Sequence, residues 1–240
     1  MTSLLTQTKA ALELARSQHE EIIISYSGGK DSLCCLDLLT RYWEPHQIHG
    51  YFLYMMPNLE FEQSKIKRAV RKFGIHIDQF PHPELQKMLR EGYLTTRPVN
   101  FSRNMKYADY YELMRDRTGA KLICFGQRMQ ESLQRRGMIM STTGGTGYDP
   151  RLAKLFPICQ WNSKSVSHYL QSRKLSDLIV DTGGLDTSGV SLAGHFLIWL
   201  EERHPEDFER VCRLLPFARA KSMRERQRLA KGLTVMGNRS

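Results

Sequence analysis

Apolar residues recur along this chain with two periods, one helical and one extended. Leu4, Leu5, Ala11, Leu12, Leu14 and Ala15 fall at helical spacing and predict an amphipathic helix over residues 3–18. The continuous run Ile22-Ile-Ile24 predicts a buried strand, and Leu33 to Leu39 a buried helix. A second strand is predicted from Ile48 into a turn at Pro57. A charged, periodic surface helix from Glu60 to Phe73 stops at Gly74, and the alternating stretch 75–80 reads as a third strand. Residues 81–106 are weakly periodic apart from a short helix near 84–90. Tyr107 to Thr118 reads as a helix and Lys121 to Phe125 as a fourth buried strand. Ser163 to Leu170 reads as an N-capped helix, and Asp181 to Lys231 as helices broken by Gly183-Gly184, Pro205 and Pro216.

The order β-α-β-α-β predicts an α/β fold, a doubly wound and mainly parallel sheet with helices on both faces. A nucleotide-binding domain is expected over residues 1–174, with a helical C-terminal appendage over 175–240.

Between the first strand and its helix lies Ser27-Gly-Gly-Lys-Asp-Ser32. A strand, a glycine turn and a helix present bare amides and a helix N-terminus to a phosphate. Gly28 and Gly29 let backbone approach the ligand closely. Ser27 and Ser32 offer hydroxyl donors and Lys30 a charge, while Asp31 either caps the helix or helps to place a magnesium ion. The alternative is a serine and glycine turn that only caps a helix. Gly-x-x-x-x-Gly-Lys-Ser/Thr and Gly-x-Gly-x-x-Gly are both absent.

The fourth strand ends at Gly126, and Gln127 to Ser132 follow. Ligands of open α/β sheets bind beyond the carboxyl ends of the strands, so Arg128, Glu131 and Arg135 are candidates for the same crevice, or else form a basic surface turn. Thr142-Thr-Gly-Gly-Thr-Gly147 is either a loop that closes over substrate or an inert connection.

Composition adds three constraints. The five cysteines, Cys34, Cys35, Cys124, Cys159 and Cys212, contain no Cys-x-x-Cys pair, so neither a disulfide framework nor a cysteine-rich metal site is expected. No apolar run approaches a membrane span, and the first residues lack the order of a signal peptide, which points to the cytoplasm. The net charge is +10. Residues 217–240 concentrate it in Arg219, Lys221, Arg224, Arg226, Arg228, Lys231 and Arg239, against Glu225 alone. Such a stretch fits a polyanion, with nucleic acid the candidate, or a solvated helix face.

Three segments together carry a family resemblance. Ser27-Gly-Gly-Lys-Asp-Ser32, Gly126-x-Arg-x-x-Glu-Ser132 and Phe156-Pro-Ile-x-x-Trp161 occur in the order and approximate spacing of the phosphoadenosine-phosphosulfate reductase-like family, part of the ATP-pyrophosphatase, or adenine nucleotide α-hydrolase, superfamily. Asn58-Leu-Glu-Phe-Glu62 is similar to that family's turn after the second strand. The resemblance covers residues 20 to 172. It implies that Ser27, Gly28, Gly29, Lys30, Asp31 and Ser32 hold the nucleotide's phosphates or sulfate, with Arg128 adding charge from the facing loop. Gly126, Glu131 and Arg135 would complete the binding set. Adenine would lie near Tyr26 and the stretch Tyr54-Met55-Met56, and Lys30, Asp31 and Arg128 would be the catalytic groups.

The departures narrow the activity. Reductases of the family use a C-terminal cysteine nucleophile, whereas the last cysteine here is Cys212. Relatives with an iron–sulfur cluster carry cysteines where this chain has Thr187 to Gly194, so no cluster is expected. ATP cleavage to AMP and pyrophosphate remains, activating an oxyanion acceptor. The basic stretch turns the expectation toward sulfur transfer to DNA, as in phosphorothioation systems, with a cysteine desulfurase as a partner. The alternatives are a small-molecule adenylyltransferase acting on sulfate or flavin, a sulfonucleotide reductase and a non-catalytic nucleotide-binding subunit.

Overall fold

A computed structural model describes residues 2–179 and 192–231. Its helices and strands run α1 (Thr2–Gln18), β1 (Ile22–Ser25), α2 (Lys30–Leu39), β2 (Ile48–Tyr54), α3 (Glu60–Phe73), β3 (His76–Pro81), α4 (Pro83–Arg90), α5 (Tyr107–Thr118), β4 (Leu122–Cys124), α6 (Leu133–Thr143), β5 (Tyr148–Asp149), β6 (Lys154–Leu155), α7 (Ser163–Ser172), α8 (Gly194–Arg203), α9 (Pro205–Leu214) and α10 (Ala218–Ala230). Six strands form one sheet in the order β3-β2-β1-β4-β6-β5. The pairs β1–β2, β1–β4 and β4–β6 are parallel, and only the short β5 runs antiparallel, to β6. This is the mainly parallel α/β sheet that the strand and helix order predicts, with helices at the C-terminal end of the chain.

Two compact units arise from this chain, one of residues 1–53, 64–80 and 106–180, the other of residues 54–63, 81–105 and 181–240. The second unit is therefore not a simple C-terminal extension, because it takes in two segments that follow strands β2 and β3.

In the first unit, strands buried on both faces explain the unbroken apolar runs: Ile22, Ile23, Ile24, Leu122, Ile123 and Cys124 are all fully buried. Ile23, Tyr51 and Ile123 share one core with Met114 of α5, Ile139 of α6 and Phe125, Phe156 and Cys159. On α2, Asp37 is buried and accepts hydrogen bonds from Tyr169 Oη (2.6 Å) and Arg173 Nε (3.0 Å), with Arg41 Nη2 at 3.6 Å. A carboxylate buried among these donors ties α2 to α7. Removing one partner of such a group costs about 3–5 kcal/mol.

The second unit has its own apolar core of Met55, Met56, Leu59, Phe61, Leu85, Phe196, Leu197, Leu200, Phe208, Val211 and Leu215. Asp207 of α9 accepts the Glu60 and Phe61 amides at 2.8 and 3.0 Å, so the first turn of α3 is capped by a residue distant in sequence. Gly194 starts α8 where a Cβ would lie 2.6 Å from the side chain of Glu225 on α10, which requires glycine there.

Helix α6 and strands β5 and β6 are not among the elements expected from periodicity. Gly144 ends α6 in the left-handed conformation, and Gly145 and Gly147 also have positive φ. The Gly145 carbonyl accepts from Gln160 Nε2 at 2.8 Å and the Gly147 carbonyl from the Phe156 amide at 2.6 Å. Of the two readings open for residues 142–147, a loop that closes over substrate and an inert connection, these hydrogen bonds favour the inert connection. Pro205 opens α9 and Pro216 separates α9 from α10, as expected, whereas Gly183-Gly184 and residues 187–191 lie outside the described residues. No helix among the described residues is long and apolar enough to cross a membrane.

Candidate nucleotide site

Parallel pairing in the register Ile24↔Cys124 sends β1 and β4 out of the sheet side by side. Residues 26–32 and 125–132 therefore emerge at the same carboxyl end of the sheet. They also touch: a Cβ placed on Gly126 would lie 3.0 Å from the Asp31 carbonyl carbon and the Ser32 amide. Only glycine lets the β4 exit pack this closely on the first turn of α2.

The loop itself is held by its serines. Ser32 Oγ donates to the Gly29 carbonyl at 3.0 Å and accepts the Ser27 amide at 3.2 Å, and the two serine hydroxyls are 3.1 Å apart. Ser32 thus uses its one proton inside the loop. Gly28 is left-handed with φ +72°, a conformation that L side chains rarely adopt. Gly29 is the N-cap of α2 and no side chain caps it, so Asp31 does not play the capping role open to it in the sequence. The amides of Lys30, Asp31 and Ser32 have no acceptor in the described chain and stand available to an anion.

Asp31 instead faces Arg128, which is 7% exposed. Arg128 Nε lies 3.0 Å from Asp31 Oδ1, and Nη2 lies 3.3 Å from Oδ2. Only the second contact has hydrogen-bonding geometry, so Oδ1 and Nε are buried at ionic distance without a hydrogen bond. Burial raises the pKa of Asp31, with Arg128 and Lys30 pulling the other way. Glu131 accepts from the Arg128 amide at 3.3 Å, stands 3.3 Å from Arg128 Nη2 as an ion pair, and pairs with Arg135. Its carboxylate is occupied by two arginines, which suits orienting Arg128 better than contacting an anion.

Of the other residues expected here, Tyr26 is buried at the end of β1, and burial pushes its phenol up to about 12 despite nearby Arg68. Met55 is buried in the apolar core of the second unit. Lys65 of α3 was not expected. It is 3% exposed, and its Cδ lies 3.3 Å from where a Cβ on Gly28 would sit. The available signal is positional: Glu62 and Lys65 share the buried stripe of α3 with Ile66, Ala69 and Phe73.

A magnesium ion fits this site in one way. Among the described residues no group of three or more His, Cys, Asp or Glu could hold a metal. Asp31 Oδ1, buried without a hydrogen bond, is a suitable oxygen ligand. The remaining ligands would have to be phosphate oxygens and water, the usual habit of Mg²⁺ at nucleotide sites.

Three of the six described cations of the basic stretch, Arg219, Arg226 and Arg228, are ion-paired within their own unit. Arg219 pairs with Glu209, Arg226 with Glu201 and Glu202, and Arg228 with Glu225, while the Lys221 ammonium stands 4.7 Å from the Tyr93 ring centroid. Arg224 has no such partner among the described residues.

The chain is similar in fold to an NH3-dependent NAD synthetase from Campylobacter jejuni, solved in complex with the nitrate ion, at 11% identity and TM-score 0.49 over 98% of each chain. It is also similar to the U34-tRNA thiolase NcsA from Methanococcus maripaludis, solved with its [4Fe-4S] cluster, at 13% identity and TM-score 0.46, over 91% of this chain and 79% of that one. No curated protein is significantly similar to it. Residues 21–178 match the phosphoadenosine phosphosulfate reductase domain, a span that holds the loop at 27–32, Arg128 and the helix that anchors Asp37. With that match over more than half its length, the chain belongs to the phosphoadenosine phosphosulfate reductase domain family.

Proposed function

We propose that this protein binds ATP and cleaves it between the α- and β-phosphates, releasing pyrophosphate and passing the adenylyl group to an acceptor oxyanion. The observation that carries the reading is the pairing of three acceptor-free amides at the start of α2 with a buried arginine from the neighbouring strand exit. Amides and helix dipole suit the outer phosphates, and Arg128 is a fixed cation beside them. An acceptor oxygen attacks the α-phosphorus, the bond to the bridging oxygen breaks, and the electron pair leaves with pyrophosphate. Lys30 and Arg128 offset the charge that builds on the departing group, in a site where burial strengthens that attraction. Mg²⁺ at Asp31 would supply further charge neutralisation to the phosphates.

The cysteines favour this chemistry over sulfonate reduction. Cys34, Cys35, Cys124 and Cys159 are buried, and burial raises the pKa of Cys34, Cys35, Cys159 and the half-buried Cys212. A reductase needs an accessible thiolate. The narrower expectation of sulfur transfer to DNA rests on the basic stretch alone, half of whose described cations are ion-paired with glutamates.

The test is direct. Purified protein with ATP and Mg²⁺, with candidate oxyanions added in turn, is expected to release AMP or an adenylylated product together with pyrophosphate. Release of ADP and phosphate, or consumption of a sulfonucleotide with a thiol donor, would overturn the reading.

A further inference from the structure

We infer that Glu131 is a positioning residue: it holds the Arg128 guanidinium so that one nitrogen, Nη1, is left for the phosphates, and it does not itself touch the nucleotide. The inference rests on the reading above, that the loop at 27–32 holds phosphates with Arg128 beside them.

Bare charge argues against two acids at this place. Asp31 and Glu131 both stand within 3.3 Å of Arg128, and a carboxylate next to an anion site repels the anion. The Glu131 side chain is only 18% exposed, so water screens it little. Its contacts give it a use. Oε2 accepts from the Arg128 amide at 3.3 Å and pairs with Arg135 Nη1, while Oε1 stands 3.3 Å from Arg128 Nη2. The Glu131 amide in turn donates to the Arg128 carbonyl at 3.2 Å, closing the turn that carries both residues. Bracing that turn needs one carboxylate oxygen. The other faces the guanidinium.

A guanidinium is planar, so anchoring two of its nitrogens fixes the third. Nε and Nη2 face Asp31 at 3.0 and 3.3 Å, and Nη2 also faces Glu131. Nη1 is left over: it has no partner among the described residues, and unlike Nε it is not closed off from solvent. An arginine held in this way has lost its rotamer freedom before a ligand arrives, so binding an anion does not have to order it. Arg135 makes the hold firmer. It stands in the first turn of α6, where Ser132 accepts its amide at 3.1 Å, and its pairing with Glu131 fixes that carboxylate in turn.

Calorimetric titration of the full chain with inorganic pyrophosphate, in the absence of metal, tests this, because charge and position predict opposite signs. Glu131→Gln removes a negative charge and leaves one acceptor oxygen for three donors, whereas Glu131→Asp keeps the charge and shortens the reach. The wild-type protein is expected to bind pyrophosphate, and each variant to bind it about tenfold more weakly. In an Arg128→Met background neither substitution should weaken binding further, since Glu131 acts through Arg128. Equal or tighter binding by Glu131→Gln would show a bare charge and overturn the inference, as would a loss that persists without Arg128. Those outcomes leave the phosphate-loop reading standing, whereas wild-type protein that does not bind pyrophosphate removes that reading and this inference with it. If Glu131→Gln does not fold, Glu131→Asp decides with and without Arg128: unchanged affinity, or a loss that persists in the Arg128→Met background, overturns the inference.

Discussion

Arg128 Nε and Asp31 Oδ1 lie 3.0 Å apart and buried, yet out of line for a hydrogen bond. The pair is close enough to attract and too poorly aligned to be satisfied, the condition of groups that await a third party. Burial dominates the pKa of Asp31 and raises it, so the native state holds this proton more tightly than the unfolded chain does. The contribution to stability therefore falls as pH rises from the ordinary carboxylate value through the native one, and the penalty is complete at neutral pH. Asp31→Asn removes it. The variant should melt higher at pH 7, while ATP turnover disappears. The gap should close as the pH is lowered and wild-type Asp31 takes up its proton. Melting curves across that range check it, and a variant that melts lower at pH 7 contradicts the account.

Gly126→Ala puts a methyl 3.0 Å from the backbone of Asp31 and Ser32, atoms that cannot move out of the way alone. The first turn of α2 must shift, so kcat/KM for ATP should fall about 100-fold, with a stability loss of about 1–3 kcal/mol in denaturant. Gly137→Ala is the control. Within α6, nothing lies within 4 Å of the added methyl, and replacing an interior helix glycine should stabilise by about 0.5–1 kcal/mol.

Cys159 sits beside the Phe156-Pro-Ile segment, with its Sγ 4.0 Å from the Gly145 carbonyl, and burial pushes the thiol up to about 11. At pH 7 only roughly one molecule in ten thousand carries the thiolate, the form that reacts. Cys159→Ser should keep full ATP turnover. A limiting amount of alkylating reagent on the native protein should label Cys212, the half-buried cysteine, before the other four. Mass mapping reads this, and early label on Cys159 would reopen a sulfur-carrying role.

For the basic stretch, pairing decides the expected salt response. With Arg219, Arg226 and Arg228 facing glutamates, Lys221, Arg224 and Lys231 are the described cations of the stretch left to displace counterions from DNA. A plot of log affinity for duplex DNA against log salt should have a slope of about −1 to −3, from one to three phosphate contacts. A slope near −5 would show that the ion pairs open on binding and restore a nucleic-acid surface.

What the sequence disclosed follows the reach of the interactions. The loop at 27–32 and the four long strands are legible because a tripeptide of isoleucines or a Gly-Gly turn is local information. Helix α6 is less so: Leu133, 87% exposed, and Gly137 blur the apolar stripe of a helix that buries only Ile139 and Thr143. Arg128 was legible from its place after a strand, but its partner Asp31 is 97 positions away. Lys65 and Asp207 were illegible for the same reason. Each is a charged residue on a helix, indistinguishable in sequence from a solvated one until the fold brings Gly28 to the first and the α3 amides to the second.

The attachment of Asp37 to Tyr169 and Arg173 has a consequence for the order in which the protein is made. The entire phosphate loop has left the ribosome once the first 40 residues have emerged, but the helix that begins it carries a buried carboxylate whose donors lie more than 130 positions later. Until Tyr169 and Arg173 arrive, burying α2 leaves that carboxylate with Arg41 alone of its three partners, so the nascent chain holds a complete motif whose seat is unfinished. A product truncated before residue 169 would keep every residue of the loop and lack the clasp that seats it.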